Sequence, residues 1–296
     1  MRILLTGGTG FIGTALSRAL LDGGDEVIIL SRQQHSDLLH CRFVRSLDEI
    51  APAEELDAII NLAGASLASQ RWSPAYKREI VASRLDTTHL LLDLCTRLNR
   101  APPVLLSASA IGYYGHHADE CLTEVSAVTP GFAQKLCADW ESLALQAQER
   151  GVRVCLLRLG VVLDHGGGAL AEMAQSFRFG VASWLGSGKQ WLSWVHRQDV
   201  IRSMLFLLAH EDMRGPFNIT APEPVIGHDF ATALQAHHRT FMRVGVPAPV
   251  MRLLLGEMAQ ELLLNGQRVI PQRLCAAGFD FDYPDIATAL AEIYCD

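Results

Sequence analysis

No CxxC pair occurs among the seven cysteines of this 296-residue chain (Cys41, Cys95, Cys121, Cys137, Cys155, Cys275 and Cys295), and seven is an odd number. A disulfide framework is not built that way, so reduced thiols are expected. Basic runs are missing too: 25 Lys and Arg are scattered against 32 Asp and Glu, for a net charge of -7. A phosphate backbone calls for concentrated positive charge, which excludes nucleic acid as a partner. No stretch approaches the roughly 20 apolar residues that span a bilayer. Met1-Arg2-Ile3-Leu4-Leu5 runs into glycine before a signal peptide could form, so a cytoplasmic protein with no membrane partner is expected. The pairs His116-His117 and His237-His238 cannot share a helix face, and no Cys or carboxylate cluster completes a ligand set, so no metal is expected. Polar low-complexity sequence is also lacking, and with 49% hydrophobic and 19% charged residues the chain can bury a full core.

What is present is alternation. Short apolar runs at Arg2–Thr6, Glu26–Leu30, Arg42–Val44, Ala58–Leu62, Val104–Ser107 and Arg153–Leu157 are separated by segments of helical period. The clearest of these lie at Phe11–Leu21, about 74–98, about 132–150 and 198–210. Apolar runs suited to burial on both faces predict a parallel sheet, hence an α/β fold with Rossmann-type doubly wound topology. After Gly160 the alternation fades into Gly- and Trp-rich loops, with a strand near Phe217–Ile219 and helices near 230–237, 248–264 and 285–294. Residues 1–160 are therefore expected to form the nucleotide-binding domain, with a later strand contribution from 215–220. Residues 161–296 are expected to form a smaller mixed C-terminal substrate lobe, including a helical appendage over about 247–294.

Gly7-x-x-Gly10-x-x-Gly13 directly follows the first strand and opens the first helix, the context a dinucleotide fingerprint requires. The first glycine allows the tight turn, the second lets the backbone approach a pyrophosphate, and the third lets helix and strand pack closely. Phosphate charge then sits on the helix N-terminus. At the end of the second strand, where an acidic residue would hold the adenosine ribose, the sequence reads Leu30-Ser31-Arg32. A guanidinium and a hydroxyl suit a 2′-phosphate, so NADP(H) is expected in preference to NAD(H), unless Arg32 is only a solvated arginine.

With this loop, Asn61-Leu62-Ala63-Gly64 after the fourth strand and Ser107-Ala108-Ser109-Ala110-Ile111-Gly112-Tyr113-Tyr114-Gly115 after the fifth, the chain resembles the extended short-chain dehydrogenases/reductases. It is more similar still to the branch labelled epimerase family proteins, which carries an appended C-terminal domain. The shared stretches, among them GSGKQWLSWVH and GEMAQELLLNGQRVIPQRL, cover nearly the whole chain. The resemblance implies cofactor contacts from Gly7, Thr9, Gly10, Phe11, Ile12, Gly13, Ser31, Arg32, Leu62, Ala63, Gly64 and Ser107, with Arg158 and Gly160 flanking the nicotinamide. It implies a catalytic serine at Ser109, substrate contacts near Trp194-Val195-His196, and association into a homodimer through the two long helices.

The family's YxxxK proton-transfer pair is absent. Phe132 stands near the tyrosine position and Leu136 near the lysine, while Lys135 is offset by about 100° around a helix of 3.6 residues per turn. Tyr113 and Tyr114 can supply a phenol from another direction or simply pack, and an unaided phenol titrates near pKa ~10. His196 is a further candidate proton donor beside a structural role. Glu141 is expected to be a solvated or capping carboxylate. Trp191, Trp194 and Arg71-Trp72 either wall the substrate cleft or anchor loops. Two functions follow. One is an NADP(H)-binding oxidoreductase or epimerase-like enzyme acting on an unidentified small molecule, with nucleotide- and carbonyl-containing compounds as the candidates. The alternative is a catalytically inactive NADPH sensor.

Overall fold

A computed structural model of the chain describes residues 1–33 and 35–295. Its centre is a sheet of seven strands: β1 (Arg2–Thr6), β2 (Glu26–Leu30), β3 (Cys41–Val44), β4 (Ala58–Asn61), β5 (Val104–Ala110), β6 (Arg153–Leu159) and β7 (Gly215–Ile219). All pair in parallel, in the spatial order β7-β6-β5-β4-β1-β2-β3. The order reverses at β1 and β4, so the crevice for a ligand lies outside their carboxyl ends.

Four helices cover the sheet. α1 (Phe11–Asp22) and α4 (Arg197–Ala209) bury Leu16, Leu20, Val200, Met204 and Leu207 against Ile3, Leu5, Ile60, Leu106 and Leu157. α2 (Pro74–Arg97) and α3 (Phe132–Leu145) bury Leu91, Leu94 and Ala144 against Leu4, Ile59, Leu105, Val154 and Leu156. Successive strand residues point to opposite faces, so each strand feeds both cores, as its apolar sequence predicts.

The remaining segments dock on the carboxyl side and, through residues 273–279, on the starting end of β7. Val181–Leu185 pairs with Met242–Val246, and Cys121–Leu122 with Arg268–Val269. The Asp199 carboxylate accepts the N–H groups of Asp282 and Tyr283, each at 3.0 Å. Arg273 donates to the carbonyls of Pro216 (2.6 Å) and Arg214 (2.9 Å) at the β7 edge. No helix among the described residues is long and apolar enough to cross a membrane.

Several expected boundaries shift. β5 and β6 run on to Ala110 and Leu159, because Ser107, Ser109 and Arg158 end the apolar run without ending the backbone pairing. The helix expected over about 132–150 is α-helical to Leu145 and then a 3₁₀ segment, stopped by Gly151 at φ +76. The helix expected near 248–264 is cut at Gly256 (φ +62) into an α-helix, Ala248–Leu255, and a π-helical turn, Ala259–Leu264.

Candidate cofactor and active site

The glycine loop is built to hold something other than side chains. Gly7 has φ +69, and a Cβ there would stand 2.6 Å from the Leu62 carbonyl oxygen. At Gly13 a Cβ would stand 2.1 Å from the Gly7 carbonyl oxygen, closer than any real contact. Thr9 and Gly10 are exposed at the tip, and Phe11 and Ile12 are half-buried in the first turn of α1. That turn has no capping side chain and no acidic residue, so its leading N–H groups remain open to an anion. Over the far side, Gly167 and Gly168 lie on the Phe11 ring, and Arg197 pairs with Asp164 at 2.6 Å while donating to the Phe11 carbonyl at 3.2 Å. These features fit a dinucleotide phosphate cradle.

At the end of β2, Ser31 is buried and its hydroxyl accepts the Gln33 N–H at 3.2 Å. Arg32 beside it is exposed.

Next to the cradle, the α2/α3 face of the sheet changes character at its carboxyl edge. Its apolar residues give way to a polar row, Thr6, Asn61, Ser107, Ser109 and Arg158, linked by strand register Thr6↔Asn61, Asn61↔Ser107 and Ser109↔Arg158. Thr6 donates to Asn61 Oδ1 (2.6 Å), Asn61 Nδ2 to Thr88 Oγ1 (3.0 Å), and Trp140 Nε1 to the same Thr88 oxygen (3.0 Å). Thr6 Oγ1 also accepts the Ala63 N–H at 3.2 Å, which positions the Leu62-Ala63-Gly64 loop. The Ser107 hydroxyl is buried with no partner among the described residues.

The row ends in a charged cluster. Arg158 forms a two-pronged pair with Glu141, Nε to Oε1 and Nη2 to Oε2, both at 2.8 Å. The two side chains are 4% and 6% exposed. Arg158 Nη1 donates to Tyr114 Oη (3.0 Å) and to the Glu124 carbonyl (3.2 Å), and the Tyr113 ring centroid lies 3.5 Å from Cζ. Withdrawing two charges from water costs several kcal/mol each, about what such complete hydrogen bonding offsets. Burial works to lower the Arg158 pKa, but the Glu141 bonds and charge outweigh it and hold the guanidinium above its ordinary value. Ser109 Oγ donates to Glu141 Oε1 at 2.6 Å. Cys137, one turn before Glu141, is buried, and desolvation together with the Glu141 charge pushes its thiol up to about 11.

Ser109, Tyr113, Tyr114 and Arg158 thus come together around the Arg158–Glu141 pair. Tyr114 is fully buried; its hydroxyl donates to Asn218 Oδ1 at 2.6 Å, and burial, only partly offset by Arg158, pushes its phenol up to about 12. That side chain is a strut. Tyr113 supplies a ring face to Arg158. Arg158 gives its guanidinium to Glu141, Tyr114 and the Glu124 carbonyl. Gly160 is needed because a Cβ there would stand 2.7 Å from the Ser193 carbonyl oxygen.

His196 does not join the cluster. It is buried, its Nδ1 accepts the Gln198 N–H (3.2 Å), and its Nε2 meets Glu292 Oε2 (3.0 Å). Both ring nitrogens are engaged, in a link to the C-terminal helix Ile286–Ile293. Trp194 is a buried anchor donating to the Glu223 carbonyl, and Trp72 likewise donates to the Leu67 carbonyl. Trp191 is half-buried beneath the Arg268 guanidinium. Lys135 is exposed and pairs with Asp139.

Glu141 is the site residue that the sequence undervalues. The signal was the stripe Phe132, Leu136, Cys137, Trp140, Glu141 and Ala144 on α3, at helical spacing, which places the carboxylate on the buried face.

Two family models match the chain: the NAD dependent epimerase/dehydratase family over residues 3–220 and DUF1731, a domain of unknown function, over residues 246–293. An epimerase family protein of Staphylococcus aureus (strain MRSA252) is 36% identical over 299 residues, covering 98% of each chain. One from Mycobacterium bovis is 36% identical over 290 residues, covering 97% of this chain and 96% of its own. Among solved structures, human epimerase family protein SDR39U1 (isoform2) with NADPH superposes with a TM-score of 0.89 at 32% identity, covering all of both chains. A nucleoside-diphosphate sugar epimerase from Corynebacterium glutamicum gives a TM-score of 0.77 at 29% identity, covering 99% of this chain and 58% of that one.

Proposed function

The chain belongs to the NAD-dependent epimerase/dehydratase family, and on that premise we propose that it is an NADP(H)-dependent oxidoreductase or epimerase-like enzyme acting at a hydroxyl-bearing or carbonyl carbon of a small molecule. The observation that carries this reading is Ser109 bound to a buried, ion-paired Glu141 on the polar row beside the glycine cradle. When bound, the cofactor supplies or accepts hydride. The cradle of Gly7, Gly10 and Gly13, with the first turn of α1, would hold its pyrophosphate, with the 62–64 loop beside it.

Ser109 spends its proton on Glu141, so its oxygen faces a substrate as an acceptor. A hydroxyl that donates to Ser109 can pass its proton to that oxygen while the serine proton moves to Glu141, and the reverse path protonates a substrate alkoxide. While the proton rests on Glu141, Arg158 is left without its counter-charge, which drives the proton back toward the substrate oxygen. This relay would take over the proton work that the family gives to a tyrosine, whose position in this chain is Phe132. With NADPH and panels of aldehydes, quinones and nucleotide sugars, Ser109→Ala is expected to lower kcat by about 100-fold or more, the usual share of positioned proton transfer, with NADPH affinity unchanged. Wild-type protein that binds NADPH and turns over no member of the panel would falsify the enzymatic reading.

The preference for NADP(H) rests on exposed Arg32 next to Ser31, at a strand end without a carboxylate, and on the NADPH of the human relative's structure. Arg32→Ala should weaken NADPH by about 10-fold or more, in line with loss of a charged hydrogen bond, and leave NADH nearly untouched. Equal losses in a calorimetric titration would refute the assignment.

A further inference from the structure

Arg84, on the third turn of α2, has a guanidinium lying against Gly64: a Cβ on that glycine would stand 3.0 Å from Cζ, 3.1 Å from Nη2 and 3.3 Å from Nε. On its other side is the Trp140 ring, with the centroid 5.3 Å from Cζ. That ring is fixed by its bond to Thr88, which Asn61 also holds. Nη1 donates to the Ile80 carbonyl at 3.0 Å, and Nε and Nη2 have no protein partner among the described residues. The titratable groups that act on this cation are the Cys137 thiol and the Tyr76 phenol, with no carboxylate among them. Burial lowers its pKa below the ordinary arginine value.

Arg158, more deeply buried, is instead neutralised by Glu141. A half-buried guanidinium held between an aromatic face and the 62–64 loop, with Nε and Nη2 bonded to no described residue, can donate to a bound ligand. It occupies the gap between the loop after β4 and the α3 surface at Cys137. The adjacent position on α3, where the family's lysine would stand, is the buried apolar Leu136.

We infer that Arg84 supplies the cation that the missing lysine would have supplied, donating from Nε and Nη2 to the hydroxyls of the nicotinamide-side ribose and fixing that end of the cofactor beside Ser109. This rests on the cofactor reading above. A side chain at position 64 would have to displace the guanidinium from this place.

The test is a binding titration of NADPH and, separately, of 2′,5′-ADP, which carries the adenosine half with its phosphates but no nicotinamide ribose. Wild type, Arg84→Met and Arg84→Lys are compared, with thermal melts alongside. Arg84→Met should weaken NADPH about 10-fold, the scale of a charged hydrogen bond, and leave 2′,5′-ADP within about twofold. Arg84→Lys should recover most of that loss. Unchanged NADPH affinity, equal losses for both ligands, or no recovery with lysine would each overturn the inference. Failure of wild type to bind NADPH would instead remove the cofactor reading beneath it.

Discussion

A Gly13→Ala variant should bind NADPH at least about 100-fold more weakly than wild type, a loss of about 2.7 kcal/mol, while remaining folded. One methyl group produces this effect because of where it must go. Its carbon would lie 2.1 Å from the Gly7 carbonyl oxygen, 2.7 Å from the Gly8 Cα and 2.8 Å from the Gly7 carbonyl carbon, all backbone atoms of the turn. A flexible side chain could swing aside, but a turn locked between β1 and α1 cannot. The turn must open, and the N–H groups of the first helical turn then no longer converge on one phosphate. Overpacking of this kind costs about 1–3 kcal/mol of stability, so a modest fall in Tm accompanies the binding defect. Fluorescence titration of NADPH reads the first effect and a melt the second. Affinity within threefold of wild type would mean that the loop does not hold the pyrophosphate.

The second large effect is on stability. Arg158→Met should cost about 3–5 kcal/mol, since it leaves Glu141 buried without its counter-charge and removes the donors that hold Tyr114 and the Glu124 carbonyl. Glu141→Leu should cost a similar amount for the mirror-image reason. Combining the two should cost clearly less than the sum of the single losses, because the penalty lies in the unpaired charge rather than in the missing pair. Urea denaturation at neutral pH measures all three. Additive losses, or single losses below about 1 kcal/mol, would show that the pair is not buried as a unit.

The sheet was legible in the sequence because parallel strands buried on both faces have to be apolar throughout, and six such runs stand out between helical segments. The cradle was equally plain, since the spacing Gly7-x-x-Gly10-x-x-Gly13 falls between a strand and a helix, and at Gly7 and Gly13 a Cβ would collide with backbone. The chemistry was harder to see. Family position drew attention to Ser109, Tyr114 and His196, but only the three-dimensional register reveals that Ser109 faces Glu141, that Tyr114 is consumed by Arg158 and Asn218, and that His196 is tied to Glu292. Arg84 left no mark at all. It lies mid-helix, 20 residues beyond Gly64 in sequence, and only the fold brings it to the loop. The two-residue strands of the carboxyl side are likewise set by docking partners distant in the chain, which local periodicity cannot encode.

Asn218 closes a circuit. Its backbone N–H and that of Arg273 both bond Glu124 Oε1, its amide donates to the Ile270 carbonyl, and its Oδ1 receives the Tyr114 hydroxyl that Arg158 also holds. One continuous set of hydrogen bonds therefore leads from the 270–273 segment through Asn218, Tyr114, Arg158 and Glu141 to Ser109. The late segment acts as a keystone. Lifting residues 270–273 away would release the Asn218 amide and one of the two backbone bonds to Glu124 Oε1, so the far end of this set is only as well held as the late segment is seated.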